Sequence, residues 1–306
     1  MVNLSRTTLR GLATVAALAG FAALALPNAQ AAQTAQTAST ATPGPVQVDG
    51  SVAPVGTPPA GEGLQTKSST TNVVRYNRLY TTGPITPSKC KEVNVSLRTV
   101  QGVAAYDTQL FKCLYAAWAL PLKQAGAAYK VAPKLVIHNS SAVNSKCGIF
   151  RGGNSFYCGA DNGYIYIPAY TIMNFWKQSP TFARAYATNT LAHEYGHHIQ
   201  DLEGTLAAHS SSATGPQSAS VRTELQAACL GSAYIGANKR YYPMSGGLYQ
   251  QWVYLVQNSG DQPGYPRDHG SMKNHSWWSQ TGFYAASSKT YAGRCNTWNA
   301  NSTAVA

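Results

Sequence analysis

Charge is what this chain has least of. Only 11% of its 306 residues are Asp, Glu, Lys or Arg, and 11 acids face 23 basic residues, for a formal net charge of +12. The basic residues are scattered, with no run longer than Lys239-Arg240. The 19 tyrosines show no repeat of the kind that stacks bases. No nucleic-acid partner is therefore expected. A basic, sparsely charged surface suits a protein that rests electrostatically on an anionic cell wall. Beyond Leu26 no apolar run approaches the length of a membrane span, so no transmembrane anchor is expected. There is no Cys-x-x-Cys pair, which removes the usual thiolate metal clip. No cysteine near the N-terminal segment offers a lipid attachment point.

What is present divides the chain into three. Met1–Arg10 carries Arg6 and Arg10 without an acid, Gly11–Leu26 is apolar, and Ala29-Gln30-Ala31 is a small-x-small cleavage pattern. Residues 1–31 thus read as a secretory signal peptide, which predicts an extracellular protein. Residues 32–71 are rich in Ala, Thr, Ser, Gln, Pro and Gly, have little to bury, and are expected to stay disordered as a tether. Residues 72–306 are expected to form one monomeric domain, long enough to bury a proper core. Its six cysteines are an even number behind a leader, which predicts three disulfides and no free thiol while leaving the connectivity open.

Within that domain the apolar pattern predicts mainly helices. Thr99–Ala125 reads as a long helix, with Pro121 expected to kink or split it. Lys134–His138, Ser155–Cys158 and Tyr164–Ile167 read as strands, the last two joined across Asp161-Asn162-Gly163. Ser179-Pro180 is an N-cap followed by proline, and Gly204 a stop, so a helix is predicted from about 180 to 203. Further helices are expected around Glu224, after Gly247, and over Ser271–Ser287, with a loop at Asp261–Arg267.

The helix after Ser179 carries His193-Glu194-Tyr195-Gly196-His197, a His-Glu-x-x-His motif. Residues at i and i+4 share one helix face, so both imidazoles can reach a single Zn²⁺ at about 2.0–2.1 Å. Glu194 follows the first His, and is placed to take a proton from water on the metal. A catalytic zinc usually has three protein ligands. The metzincin pattern fails, because Gln200 and Glu203 stand where its Gly and His belong. Asp201 lies on the same helix, past the reach of the metal. Glu224, in the helix-like segment Val221–Cys229, is the preferred third ligand, as in gluzincins. His269, beside Gly270, is a candidate oxyanion stabiliser.

Several pieces, in order and spacing, resemble the putative neutral zinc metallopeptidase family in its secreted actinobacterial form. They are Asn77-Arg78-Leu79-Tyr80, Cys113-Leu114 with Trp118, Pro133-Lys134-Leu135, Cys147-Gly148, Phe156-Tyr157-Cys158, the His193 motif, Glu224-Leu225-Gln226-Ala227, His269-Gly270-Ser271 and Cys295-Asn296-Thr297. They span most of residues 77–298. The resemblance implies a zincin-like α+β fold, mainly helical with a small β-sheet beside the active-site helix. It implies one catalytic zinc and a peptide or protein substrate. With cysteine order, it favours Cys90–Cys113, Cys147–Cys158 and Cys229–Cys295. By analogy with zincins, Tyr164–Ile167 becomes the candidate edge strand along the cleft. A non-catalytic zinc-binding or cell-wall scaffold protein is the alternative. One departure stands out: Ala228 replaces an Asp of the family pattern. That Asp would be placed to accept the second ring N–H of a zinc-bound His. The candidates to replace it are Asp201, Asp268 and Gln226.

Overall fold

The computed structural model describes residues 70–85, 87–209, 216–262, 267–285 and 292–306. The expected leader and all but the last two residues of the expected tether lie outside these residues, as does most of the loop predicted after Asp261. The described chain is mainly helical, with small sheets and three disulfides, an α+β fold.

The chain enters through a short helix α1 (Thr70–Arg75) and reaches the long helix α2 (Val100–Ala125). Thr99 caps α2 by accepting from the Gly102 N–H, and Gly126 closes it in the left-handed region at φ +83°. Pro121 neither breaks nor splits α2. It removes one N–H near the C-terminal end, and the buried side chains Trp118 and Leu122 on either side outweigh that loss by keeping the last turns against the core.

Strand β1 (Lys134–His138) follows, then the hairpin β2 (Ala142–Ser145) and β3 (Gly148–Arg151), then β4 (Phe156–Cys158) and β5 (Tyr164–Pro168). The main sheet runs in the order β1-β5-β4. Here the expected edge is corrected. β5 pairs in parallel with β1, Lys134 opposite Tyr164, and antiparallel with β4, Phe156 opposite Tyr166. Tyr164–Ile167 is therefore the central strand, and every residue of β5 is buried. The edge is β4.

Helices α3 (Ala169–Gln178), α4 (Pro180–Leu202), α5 (Thr205–His209), α6 (Pro216–Asn238), α7 (Gly246–Gln257) and α8 (Met272–Ala285) complete the body. α4 is as expected: the Ser179 hydroxyl accepts from the Phe182 N–H, and Gly204, at φ +74°, follows its end. It packs against α2, α3, α6 and α7, and its buried face includes Phe182, Ala185, Leu191, Ala192, Tyr195 and Ile199.

The α4–α6 crossing is close. A methyl group on Gly196 would fall 2.7 Å from the Ala227 carbonyl oxygen, and one on Gly231 would fall 2.7 Å from the backbone of Ala192. Glycine on one helix thus faces alanine on the other, twice, and the backbones nearly touch. The disulfides pair as expected, Cys90–Cys113, Cys147–Cys158 and Cys229–Cys295, leaving no free cysteine. The last ties α6 to the C-terminal region.

Candidate metal centre and its cleft

α4 presents His193 and His197 one turn apart, and the close crossing brings Glu224 of α6 to them. His193 Nε2 and His197 Nε2 are 3.2 Å apart. Glu224 Oε2 lies 3.2 Å from the first and 3.4 Å from the second. Four ligands at zinc bond lengths stand about 3.3 Å from one another in a tetrahedron. The three donors therefore already form one face of such a tetrahedron, and these residues could hold a metal ion.

Two further observations fit the same reading. Glu224 Oε2 is buried and has no hydrogen-bond partner, although a buried carboxylate oxygen normally finds one. The His197 tautomer is also set. Gln200 spends its amide N–H groups on the Thr223 carbonyl, at 2.8 Å, and on Gln226 Oε1, at 2.9 Å. Its Oε1 is thereby turned to His197 Nδ1, 2.9 Å away. His197 must donate from Nδ1, which leaves a lone pair on Nε2 facing Glu224 and His193.

This answers the Ala228 question for one ligand: the second nitrogen of His197 is held by Gln200, which was not among the candidates. Gln226 acts one step further out, by orienting Gln200. Asp201 faces elsewhere, accepting from the Tyr157 hydroxyl at 2.6 Å, and is no ligand of the group. Asp268 holds His269 instead, its Oδ1 2.5 Å from His269 Nδ1.

The electrostatics follow from burial and neighbours. Burial would raise the Glu224 carboxyl, but His197, His269 and His193 around it outweigh that and hold it well below the usual carboxylate range. Burial and the nearby Glu224 push Glu194 up to about 8, against His197, His269 and the Tyr157 N–H, which favour its charged form. That N–H also tethers the edge strand β4 to the motif. Burial lowers His193, while for His197 the pull of Glu224 outweighs burial and raises it. His269 is driven to about 9: burial opposes the charge, but Glu224, Asp268 and Asp261 outweigh it.

His269 stands outside the three donors, with Nε2 3.7 Å from Glu224 Oε2 and no hydrogen-bond partner. The backbone around it is pinned by Asp261, whose Oδ1 accepts from the N–H groups of both Asp268 and His269. A cleft of about 80 Å³ opens over His193, Glu194 and His269. Its rim includes Asn154 and Ser155, directly before β4, and His275 of α8. Burial, with His193 and His269 nearby, pushes His275 down to about 3.

The sequence motif found His193, Glu194 and His197. It did not find Gln200, although the i+3 spacing from His197 was a usable signal. Asp261 and His275 carried no local signal, because only the fold of the C-terminal region brings them in, while Asp268 was named from the sequence but as a partner for a zinc-bound His and not for His269.

The helix pair and its donors define a His-Glu-x-x-His centre completed by a glutamate from a second helix. Residues 95–243 match the model of the putative neutral zinc metallopeptidase family, the family whose motifs the sequence carries. Similar relatives are the uncharacterized proteins Rv2575 of Mycobacterium tuberculosis and Mb2605 of Mycobacterium bovis, each 37% identical over 94 residues. That stretch is 29% of this chain and 31% of theirs, so the match spans about a third of the curated relatives' length. No solved structure matches. The family match ends before His269, so the Asp261–His275 region lies outside it. Among the described residues no helix is long and apolar enough to cross a membrane.

Proposed function

We propose that the protein is a secreted zinc-dependent metallopeptidase in which Glu194 is the general base. The observation that carries this is the triangle of His193, His197 and Glu224, with donor separations of 3.2–3.4 Å and a catalytic-type glutamate beside it. The three disulfides support an oxidising, extracellular setting.

His193, His197 and Glu224 would hold one zinc. When bound, zinc supplies Lewis-acid chemistry, drawing the pKa of water toward about 7 and polarising a carbonyl. The rest falls to the chain. Glu194 is nearly enclosed, at 2% exposed, with Oε2 unpartnered, and is positioned to accept a proton from the attacking water. As the C–N bond breaks, it returns that proton to the leaving amine. His269, fixed through Nδ1 on Asp268, turns Nε2 to the cleft, where its N–H can hold the charge that grows on the carbonyl oxygen. The edge strand β4 is the candidate rail for an extended substrate.

The test joins metal analysis of the purified protein to digestion of a general peptide library, with and without chelator. Stoichiometric zinc with chelator-sensitive cleavage supports the proposal. Zinc without cleavage leaves a non-catalytic zinc-binding scaffold as the better reading.

A further inference from the structure

The cleft lining includes Tyr186, Asn189, Thr190, His193 and Glu194, all on α4. Their spacing of i, i+3, i+4, i+7 and i+8 makes one stripe of a helix. The floor of the cleft therefore runs from the metal donors about two turns back along α4. Asn189 stands in the middle of that floor, one turn before His193.

The amide of Asn189 has one orientation. Trp252 Nε1 donates to Asn189 Oδ1 at 2.9 Å. An indole nitrogen can only donate, so the amide oxygen, and not its nitrogen, must face it. Trp252 is fully buried on α7 and is not among the residues that line the cleft. The oxygen is thus turned into the body of the protein, and the Nδ2 end is the one left to the cleft. Asn189 is partly exposed, and among the described residues no group accepts from Nδ2. A donor already held in place favours binding, because little ordering remains to be done when the ligand arrives.

Reach selects the acceptor. A helix advances about 5.4 Å per turn, and an extended peptide about 3.3–3.6 Å per residue. A peptide whose reacting carbonyl sits at the metal donors, with its chain along α4, lays the main chain of a residue one or two places away over Asn189. From these observations we infer that Asn189 Nδ2 donates to a main-chain carbonyl oxygen of the substrate, one or two residues from the scissile bond. Asn189 then holds the peptide backbone and is indifferent to side-chain identity. The inference deepens the peptidase reading and rests on it.

The experiment uses the zinc-loaded full chain and a peptide that it cuts. Each main-chain carbonyl within three residues of the bond is replaced in turn by a thioamide, whose sulfur is the poorer acceptor. Cleavage is measured, as is binding to the zinc-loaded Glu194→Gln variant. The expected result is one position, apart from the scissile bond, where the replacement costs about 10-fold in kcat/KM and in binding. Two variants tie that position to Asn189, with Tm and zinc content read alongside. Asn189→Asp keeps an oxygen for Trp252 but puts an acceptor where the donor stood. Asn189→Leu combined with Trp252→Phe removes the amide and the indole N–H together, so no buried donor is left unpaired. In both, the unmodified peptide should lose about 10-fold, and the thioamide at that position should cost nothing more. A scan with no sensitive position, or a sensitivity unchanged in both variants, overturns the inference while cleavage leaves the peptidase reading standing. If nothing is cut but binding to the unaltered protein, scanned with a zinc-binding peptide, shows the Asn189-dependent position, the peptidase reading fails and the backbone subsite stands.

Discussion

Glu194 and Gln200 do opposite work from neighbouring turns of one helix. Glu194 is held by little besides the Tyr157 N–H, so its carboxylate is free to handle a proton. Gln200 is satisfied on every side, so its only latitude is to keep His197 in one tautomer. Glu194→Gln should therefore retain zinc and fold while losing hydrolysis by about 10²–10⁴-fold. Undiminished turnover in that variant would remove Glu194 from the chemistry. Gln200→Ala should leave the donors in place but weaken zinc about 10–100-fold, as read by competitive chelator titration; unchanged affinity would mean that water replaces the amide at no cost. The sequence alone suggests that Ala228→Asp tightens zinc by restoring a missing acceptor. With Gln200 already on His197, and Ala228 only 5% exposed, the expectation becomes unchanged zinc affinity and a lower Tm. A tighter site in the same titration would show instead that His193 lacks its outer partner and that Asp supplies it.

At the scale of elements, the site is a product of one helix crossing. Because glycine faces alanine at both α4–α6 contacts, α6 can lie close enough for the short Glu224 side chain to reach two imidazoles. Gly196→Ala should push α6 away, since the added methyl meets backbone and not a yielding side chain. We expect about 1–3 kcal/mol lower stability and a marked drop in retained zinc, measured by melting and metal analysis. Full zinc in a destabilised protein would show that the crossing supports the fold without setting the donors. This scale also separates what was legible in the sequence from what was not. Both ends of α4 and its two imidazoles were local: a cap, a stop and an i, i+4 spacing. β5 was misplaced at the edge because its parallel partner β1 is distant in the chain, and no local pattern announces such a pairing. The uninterrupted burial of Tyr164–Pro168 is the trace it leaves, since a strand covered on both faces loses its alternation. Pro121 was over-weighted because a missing N–H is visible in sequence while the packing that outweighs it is not. His275 is carried by α8, which packs against α6 and α7, and Asp268 stands just before that helix, so their placement depends on how these helices pack and not on a local pattern.

For the whole molecule, the pH response should carry the mark of a few buried acids, because the chain has only 11 acidic residues. Glu203, at the end of α4 and off the metal donors, is one such case. Burial pushes its carboxyl up to about 7, with Arg78 and Asn77 only partly opposing, and its Oε1 has no hydrogen-bond partner. The folded state thus holds this proton more tightly than the unfolded chain does. Below the ordinary glutamate pKa both states are protonated and the group is neutral in effect. As the pH climbs from that value through about 7, folding must bury a growing charge, and stability falls by up to about 3 kcal/mol. Glu203→Gln removes the charge while keeping the shape. Its Tm should exceed that of the unaltered protein by several degrees at alkaline pH and match it at acid pH, with chelator present throughout so that metal occupancy does not vary. The same gain at both ends would mean that the carboxylate is not what burial penalises, and a loss at alkaline pH would mean that Arg78 holds Glu203 as a net stabilising ion pair.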